Sequence, residues 1–364
     1  ALRLPGLCSR FCRPGKAKPP PGMKRFPMPH LSTRVLQALL TLLLTLFGLL
    51  LVTFALSAFS PVDRVLQIVG DHASQSTYDQ VRHQLGLDRP LPVQFWHYLQ
   101  DLAHGDLGTA SATGQPVLQD LLHAFPATLE LATLALIIGA VLGVIAGVLC
   151  ARYAGSPLDL TLRTLTLLGN SVPIFWLGLL MLALFYAKLQ WSAGPGRLDD
   201  IWQFTVEPRT GFALVDTWLS GDREAFRNAL SHLVLPVLLL AYYSLASITR
   251  LTRSACLSEM NKEYILLARA KGAGEMTILL RHVLPNIRST LLTVIALAYT
   301  SMLEGAVLTE TVFSWPGIGR YLTTALFAGD TTAVMGGTLL IGICFVLINN
   351  LTDLLVQATD PRVR

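Results

Sequence analysis

Residues 127–150 read ATLELATLALIIGAVLGVIAGVLC, an apolar run whose single charged side chain is Glu130. A run of about 20 apolar residues is long enough to cross the hydrocarbon core of a bilayer. Because lipid offers the backbone no hydrogen-bond partners, such a run is predicted to be a helix. Five further apolar stretches lie at 34–59, 164–187, 229–249, 288–308 and 333–357. The sequence therefore predicts an all-α membrane protein with six transmembrane helices.

The composition excludes most classes of soluble protein. The chain has 364 residues, of which 52% are hydrophobic and 14% are charged, whereas soluble domains carry about 25% charged residues. A soluble enzyme of this size would bury its apolar residues in strands and short helices, not in runs of this length. The stretch at 229–249 is the weakest of the six, since it is short and contains Pro236.

Basic residues are concentrated in alternate connecting segments. Residues 1–34 contain eight Lys or Arg and no Asp or Glu, and residues 250–288 contain seven Lys or Arg against three Glu. Residues 60–126 instead contain seven Asp against three Arg. Because segments rich in Lys and Arg stay in the cytoplasm, both termini and the loops at 151–163 and 250–287 are predicted to be cytoplasmic.

This topology predicts the following organisation. A basic N-terminal extension (1–33), disordered or cytoplasmic, precedes the first transmembrane helix (34–59), a small periplasmic lobe (60–126), a transmembrane core (127–357) and a cytoplasmic tail (358–364). The core includes a periplasmic loop at 188–228 and the cytoplasmic loop at 250–287. Within the lobe, residues 91–102 have the apolar periodicity of an amphipathic helix.

Three glycines spaced four apart, Gly139, Gly143 and Gly147, form a smooth ridge on the second predicted span. Such a ridge lets two helix backbones approach closely in lipid, where packing drives association. We interpret these glycines as helix-packing residues.

Two features inside the spans are candidates for a translocation pathway. Pro173 removes a backbone donor from the third span, with Asn170 on the same turn, so that a kink there could line a pathway. A proline that neighbouring helices merely tolerate is the alternative.

Glu304 lies inside the fifth span, where an ionisable group usually faces a wet cavity. It either lines the pathway and favours cationic substrates, or pairs with a partner subunit or a hydroxyl. Glu130 and Glu310 are expected at the outer interface.

The loop between the fourth and fifth spans contains the most informative segment, EYILLARAKGAG at 263–274. Helical spacing puts Tyr264, Leu267, Ala268 and Lys271 on one face, and Gly272 is a good helix terminator. A second helix is expected at 275–284, stopped by a proline. A short helix with small residues could dock closely on another protein, or it could lie at the lipid surface. Spacing alone does not separate these two interpretations.

This segment resembles the cytoplasmic coupling motif of bacterial binding-protein-dependent ABC transporter permeases, with Glu263 at the motif's acidic position. The peptide and nickel branch of that family reads Tyr-x-x-x-Ala-Arg-Ala-Lys-Gly, as do Tyr264, Ala268, Arg269, Ala270, Lys271 and Gly272 here. Further stretches similar to that branch lie at 105–108, 308–320 and 360–362. The stretches at 114–116, 125–128 and 210–216 are most similar to the first permease of Sap-type or Dpp-type peptide transport systems. The resemblance covers about residue 85 to the end, and residues 60–63 (SPVD) depart from the family's usual Pro-Gly-Asp-Pro.

The resemblance implies the ABC importer permease fold in a bacterial inner membrane, and transport of di- or oligopeptides, or of cationic antimicrobial peptides, by import. It implies as partners a second homologous permease, two ATPase subunits, a periplasmic solute-binding protein and membrane lipid, but no nucleic acid. ATP and Mg would be bound by the ATPase subunits, and no cofactor is expected in this chain. The residues implied in coupling to the ATPase are Glu263, Tyr264, Leu267, Ala268, Arg269, Ala270, Lys271 and Gly272.

Other functions agree less well with the sequence. The chain has no Gly-x-x-x-x-Gly-Lys-Ser/Thr phosphate loop and is therefore not expected to be an enzyme that hydrolyses ATP. Polyamine (putrescine) or nickel transport by the same assembly is the alternative substrate class. A stand-alone channel or secondary transporter would predict internal repeats and several intramembrane carboxylates, which are not evident. An intramembrane enzyme ranks lowest.

No metal site is expected, because the spacing of the lobe's histidines matches no compact ligand pattern: His72, His83, His97, His104 and His123.

Overall fold

The computed structural model describes residues 31–59, 62–70 and 72–359. Residues 360–364 of the predicted tail and residues 1–30 of the predicted extension lie outside the described residues. The chain divides into two compact units, Ala1–Thr41 and Leu42–Arg364.

The described residues are helical and contain no strand, only an isolated antiparallel bridge between Thr109 and Pro116. The helices are α1 (Leu31–Ala58), α2 (Arg64–Val69), α3 (Gln75–Gln84), α4 (Leu91–Ala103), α5 (Val117–Arg152), α6 (Pro157–Ser171), α7 (Ile174–Met181), α8 (Asp200–Thr205), α9 (Ala213–Leu219), α10 (Arg223–Met260), α11 (Glu263–Ala270), α12 (Glu275–Thr277), α13 (Leu284–Val312), α14 (Ile318–Phe327) and α15 (Thr331–Thr359). Helix α7 continues as a π-helical segment at Leu182–Lys188.

Five helical segments are long and apolar enough to cross a membrane: Leu39–Ala58, Val117–Arg152, Arg223–Met260, Glu275–Val312 and Thr331–Val356. They correspond to five of the six predicted spans, and the all-α membrane fold is confirmed. The weakest predicted span, at 229–249, is part of the 38-residue helix α10, which contains Pro236 without a break.

The third span is not a single kinked helix as predicted. It consists of two segments, Pro157–Gly169 and Ile174–Lys188, whose axes differ by 99°. The break has a local cause, since a proline disfavours the helical conformation in the residue before it. Val172 is accordingly extended, with φ −93° and ψ 130°, and Pro173 becomes the cap of a new helix.

The expected stop at Pro285 is also wrong. The chain stays helical from Glu275 to Val312. A π-helical segment, Ile278–Val283, precedes the proline. Pro285 has no backbone N–H, and its ring would clash with the preceding turn of a regular α-helix. The wider π-helical turn accommodates both features.

Helices α5 and α10 pack through the three glycines. A Cβ added to Gly143 would lie 2.9 Å from Ile248 Cβ, and one added to Gly147 would lie 2.6 Å from Thr252 Cβ. At Gly139 a Cβ would lie 2.8 Å from the backbone oxygen of Ala241 and would overlap the hydroxyl of Ser244. Only a hydrogen atom fits at these positions.

The largest buried cluster continues this contact, with Leu131 and Ala135 of α5 against Leu233, Val237 and Leu240 of α10.

Three short helices, α2 to α4, follow α1 and occupy much of the predicted lobe. The amphipathic helix expected at 91–102 is present as α4. Its Phe95 ring packs on Phe54 of α1, with ring centroids 5.1 Å apart. Asp63 caps α2 and accepts a hydrogen bond of 2.7 Å from the Tyr78 hydroxyl of α3. These contacts hold the short helices to the end of α1.

We predict that Gly147→Ala lowers the stability of the purified protein by about 1–3 kcal/mol, the usual cost of overpacking a tight contact. The reason is the added Cβ, which would lie 2.9 Å from the backbone oxygen of Thr249. The matched control is Gly48→Ala in α1, where no atom lies within 4 Å of the added Cβ. Thermal unfolding in detergent measures both variants, and an equal midpoint for the two would contradict the packing role.

Candidate functional site

The bundle of α5, α10 and α13 has two ends, each defined by a buried carboxylate. At the Asp159 end, the end of α5 packs on α10, α11 and the π-helical segment before α13, through residues such as Val148, Cys256 and Ile265. At the Glu310 end, the start of α5 meets α9, α14 and the end of α13. The predicted coupling residues lie at the first end, and the predicted pathway residues lie between the ends.

Helix α11 is anchored by one buried side chain. Ile265 is fully buried and packs with Ile278, Leu279 and Val283 of the following π-helical segment. The next two residues point outward, because Leu266 is 69% exposed and Leu267 is 56% exposed. The two leucines form a small apolar surface of the kind that contacts either a partner protein or the lipid surface.

Polar contacts connect α11 to the helices on either side of it. The Tyr264 hydroxyl donates to Glu259 Oε1 of α10 at 2.7 Å and accepts from Asn286 Nδ2 of α13 at 3.2 Å. Arg269 forms a two-pronged ion pair with Glu275, with nitrogen–oxygen distances of 2.8 and 3.1 Å. Glu275 also raises the pKa of the Arg269 guanidinium. A displacement of α11 would therefore alter its contacts with both α10 and α13.

The outward face of α11 differs in part from the face predicted by spacing. Tyr264, Leu267 and Lys271 are exposed as expected, together with Glu263, Ala270 and Gly272. Ala268 is instead partly buried against the Ile265 cluster, so the exposed leucine pair, not a face of small residues, dominates. Gly272 ends the helix with φ +83°, a conformation that favours glycine.

A buried ion pair at the Asp159 end was not predicted from the sequence. Asp159 of α6 is almost fully buried and accepts from Arg253 Nε and Nη2 of α10, both at 2.8 Å. The backbone N–H of Gly155 donates to the same carboxylate at 3.0 Å. The partners are 94 residues apart, and the only signal available was an acidic residue in a basic loop.

Glu310 is fully buried, and it organises the opposite end; its expected place at the outer membrane interface stays a prediction. Its carboxylate accepts from the Thr128 hydroxyl at 2.6 Å and from the backbone N–H of Arg320 at 3.1 Å. Thr128 in turn accepts from the N–H of Ile318 at 2.8 Å. The Trp315 indole donates to the Ala127 carbonyl at 2.9 Å. The stretch at 308–320 thus folds back onto the start of α5.

Glu130 is likewise buried within the protein, and its expected place at the outer membrane interface also stays a prediction. It accepts from Arg197 Nη2 at 2.5 Å and from the backbone N–H groups of Ala213 and Leu214 at 3.1 and 2.8 Å. Those N–H groups begin α9, where a negative charge is favourable. The Arg197 guanidinium also lies over the Trp315 ring, 5.6 Å from its centroid. The loop at 188–228 is therefore fastened to α5 by one carboxylate.

Two of the predicted pathway residues lie in one cavity. Glu304 and Pro173 both line a cavity of about 560 Å³ at the break between α6 and α7, together with Tyr243 and Ser301. Glu304 is exposed, and it forms no ion pair with any described residue. The side chain of Asn170 lies outside the described residues.

The described part of the chain contains no group of three or more His, Cys, Asp or Glu residues that could hold a metal ion. The lobe histidines have other neighbours. His83 contacts Asp88 at 2.7 Å, and His97 contacts Arg89 at 2.6 Å.

Comparison with known proteins adds family membership to this geometry. Residues 121–364 match the family described as binding-protein-dependent transport system inner membrane component, and residues 28–132 match its N-terminal region. The chain is 45% identical, over 88% of its length and 94% of the relative's, to a probable D,D-dipeptide transport system permease, DdpB, of Escherichia coli K12. It is 41% identical, over 88% of its length and 95% of the relative's, to the di/tripeptide permease DppB of Pseudomonas aeruginosa.

A solved structure shares the fold. The inward-facing MetNI methionine ABC transporter has a chain that is 19% identical to this one, with a TM-score of 0.51 over 67% of this chain and 97% of that one. The predicted Dpp-type resemblance is confirmed by the relatives above, while the Sap-type one stays a prediction. This chain belongs to the family of binding-protein-dependent transport system inner membrane components, a family of multi-pass permeases and not of ATPases.

Proposed function

We propose that this chain is one permease subunit of an ATP-driven transporter that imports di- and oligopeptides across the bacterial inner membrane. Peptide transport is supported by the printed functions of the relatives at 40–45% identity. The observation that carries the mechanism is the outward leucine pair on α11, held in place by the buried Ile265.

The proposed assembly contains a second homologous permease, two ATPase subunits and a periplasmic solute-binding protein. The Asp159 end faces the cytoplasm and the Glu310 end the periplasm, which agrees with the Lys and Arg content of residues 250–288. Residues 60–126 then form a periplasmic lobe. This chain contributes no nucleotide site, and the ATPase subunits bind ATP and Mg.

In this proposal, α11 sits in a groove of an ATPase subunit and moves with it. Leu266 and Leu267 supply the apolar contact, since side chains that become fully desolvated dominate interface energies. Ile265 and Tyr264 pass the displacement on, because Ile265 packs on the segment before α13 and Tyr264 bonds to both α10 and α13. Helix α13 also carries Glu304, so that closure of the ATPases would alter the cavity at the α6–α7 break.

The cavity lined by Glu304 and Pro173 is the proposed place of substrate passage. A carboxylate in lipid is costly, so Glu304 requires water or a partner subunit on its open side. A water-filled route between two permeases provides this environment. The negative charge then favours substrates with positive charge, including the ammonium group of a free peptide.

We predict that the double substitution Leu266→Ser and Leu267→Ser weakens association with the ATPase subunits by at least about tenfold, as expected for interface anchors. The chain still inserts and folds, because both side chains are already exposed. Co-purification of the ATPases and peptide-stimulated ATP hydrolysis measure the effect.

The matched control for this variant is Ile201→Ser in α8, an exposed apolar side chain on the loop that joins the Glu310 end. It leaves ATPase co-purification unchanged. Full ATPase association by the double-serine variant would contradict the docking role of α11.

We predict that Glu304→Gln raises the KM for a lysine-containing dipeptide about fivefold, which is the loss of roughly 1 kcal/mol of charge attraction in a wet site. The KM for dialanine changes less, since its side chains carry no charge. Uptake into vesicles containing the whole transporter measures both values. Glu207→Gln, which removes an exposed carboxylate from the 188–228 loop, is the control. Equal KM values for the lysine dipeptide in Glu304→Gln and wild type would exclude the pathway role.

A further inference from the structure

Arg64, the first residue of α2, is a partly buried guanidinium without a carboxylate partner among the described residues. Burial lowers its pKa, and the charged form is retained because the ordinary value is so high. Asp63 lies next to it, but that carboxylate already accepts from Tyr78 and from the start of α2. A partly buried cation without a direct counter-charge is in a costly environment that a bound anion would improve.

Arg64 lines two neighbouring cavities of about 400 and 420 Å³ at the end of α1. The second cavity also contains Arg89 and His97, with Asp101 as its only acidic residue. The walls of the two cavities contain more basic than acidic residues, and this charge balance favours a negatively charged group.

Unpaired hydroxyls surround the same space. The Tyr98 hydroxyl in the second cavity and the Ser57 hydroxyl in the first are both buried and have no hydrogen-bond partner among the residues that the structure describes. A third unpaired hydroxyl, of Thr331, lines the adjoining cavity. Buried polar groups are nearly always satisfied, so two such donors in the cavities that Arg64 lines indicate a ligand rich in acceptor oxygens.

The adjoining cavity is apolar. It has a volume of about 340 Å³ and lies between α1, α14 and α15, with Leu56, Val334 and Met335 in its walls. It shares Ser57 with the first cavity and Met335 with the second. The cationic cavities and the apolar cavity are therefore direct neighbours, with wall residues in common.

This junction lies at the level expected for lipid headgroups. It is at the end of the apolar segment Leu39–Ala58. Nearby aromatic side chains are strongly exposed, among them Phe59, Phe327 and Trp96. Aromatic residues concentrate where a membrane meets water. A soluble anion would use the cationic compartment alone and would leave the apolar one without a role.

We propose that these cavities bind one phospholipid, with its phosphate at Arg64, Ser57 and Tyr98 and one acyl chain between α1 and α15. Phosphate oxygens satisfy the guanidinium and the unpaired hydroxyls, and the acyl chain fills the apolar cavity. The bound lipid joins the lobe helices to the last transmembrane helix. The site is distinct from the α11 face and from the Glu304 cavity.

Native mass spectrometry of the delipidated full-length chain, titrated with dioleoyl phosphatidylglycerol, tests this site. The wild type is expected to bind one lipid above the non-specific background. Arg64→Gln weakens that binding about tenfold, as expected for loss of hydrogen bonds to a charged group. Tyr98→Phe, which removes only the unpaired hydroxyl, weakens it about threefold. Arg227→Gln removes an exposed arginine of α10 and is the matched control with unchanged binding.

Two further probes identify the source of the phosphate. Dioleoylglycerol, which lacks the phosphate, binds at least about tenfold more weakly than phosphatidylglycerol. Glycerol 1-phosphate, which lacks the acyl chains, does not displace the lipid at equal concentration. Thr338→Phe, which partly fills the apolar cavity, weakens the binding of phosphatidylglycerol.

Equal lipid binding by Arg64→Gln, Tyr98→Phe and Arg227→Gln would overturn the proposal. Displacement by glycerol 1-phosphate, with no effect of Thr338→Phe, would replace the lipid by a soluble phosphate and would overturn it as well.

Discussion

The close approach of α5 and α10 is the constraint on which the rest of the molecule depends. In lipid, helices gain little from hiding apolar surface and must instead gain from packing. Gly139, Gly143 and Gly147 leave room for one backbone to lie against the other, and no other residue fits there. The contact extends from Leu131 and Leu233 at one end to Val148 and Cys256 at the other. Both functional ends are therefore built on one rigid pair of helices.

Buried carboxylates fasten the loops to this pair at each end. Asp159 ties the α5–α6 turn to α10, and Glu310 and Glu130 tie the chain around Trp315 and α9 to α5. Each carboxylate has several donors, as a charge buried in a protein requires. The break at Pro173 and the cavity with Glu304 lie between these fixed ends. In the proposed mechanism, the structural change that opens and closes the transporter is concentrated in this middle region.

The sequence predicted the features that depend on local patterns. Apolar length predicted the spans, and the motif around Tyr264 and Lys271 predicted the family. It could not predict the contacts of Asp159 or Glu310, because their partners are 94 and 182 residues away. It predicted a kink at Pro173 and a helix stop at Pro285, and both predictions were wrong. Pro173 breaks its span because Val172 is extended, whereas Pro285 is accommodated by a π-helical turn, and that choice is made by packing.

In the proposed mechanism, α11 transmits the work of a separate ATPase to α10 and α13. A structure of the assembled transporter, determined by electron cryomicroscopy, would show directly what α11 contacts. We expect Leu266 and Leu267 to be buried in a groove of an ATPase subunit, on the cytoplasmic side, with Ile265 still seated against the segment before α13. A structure in which the two leucines face lipid or solvent, or in which α11 lies on the periplasmic side, would contradict it.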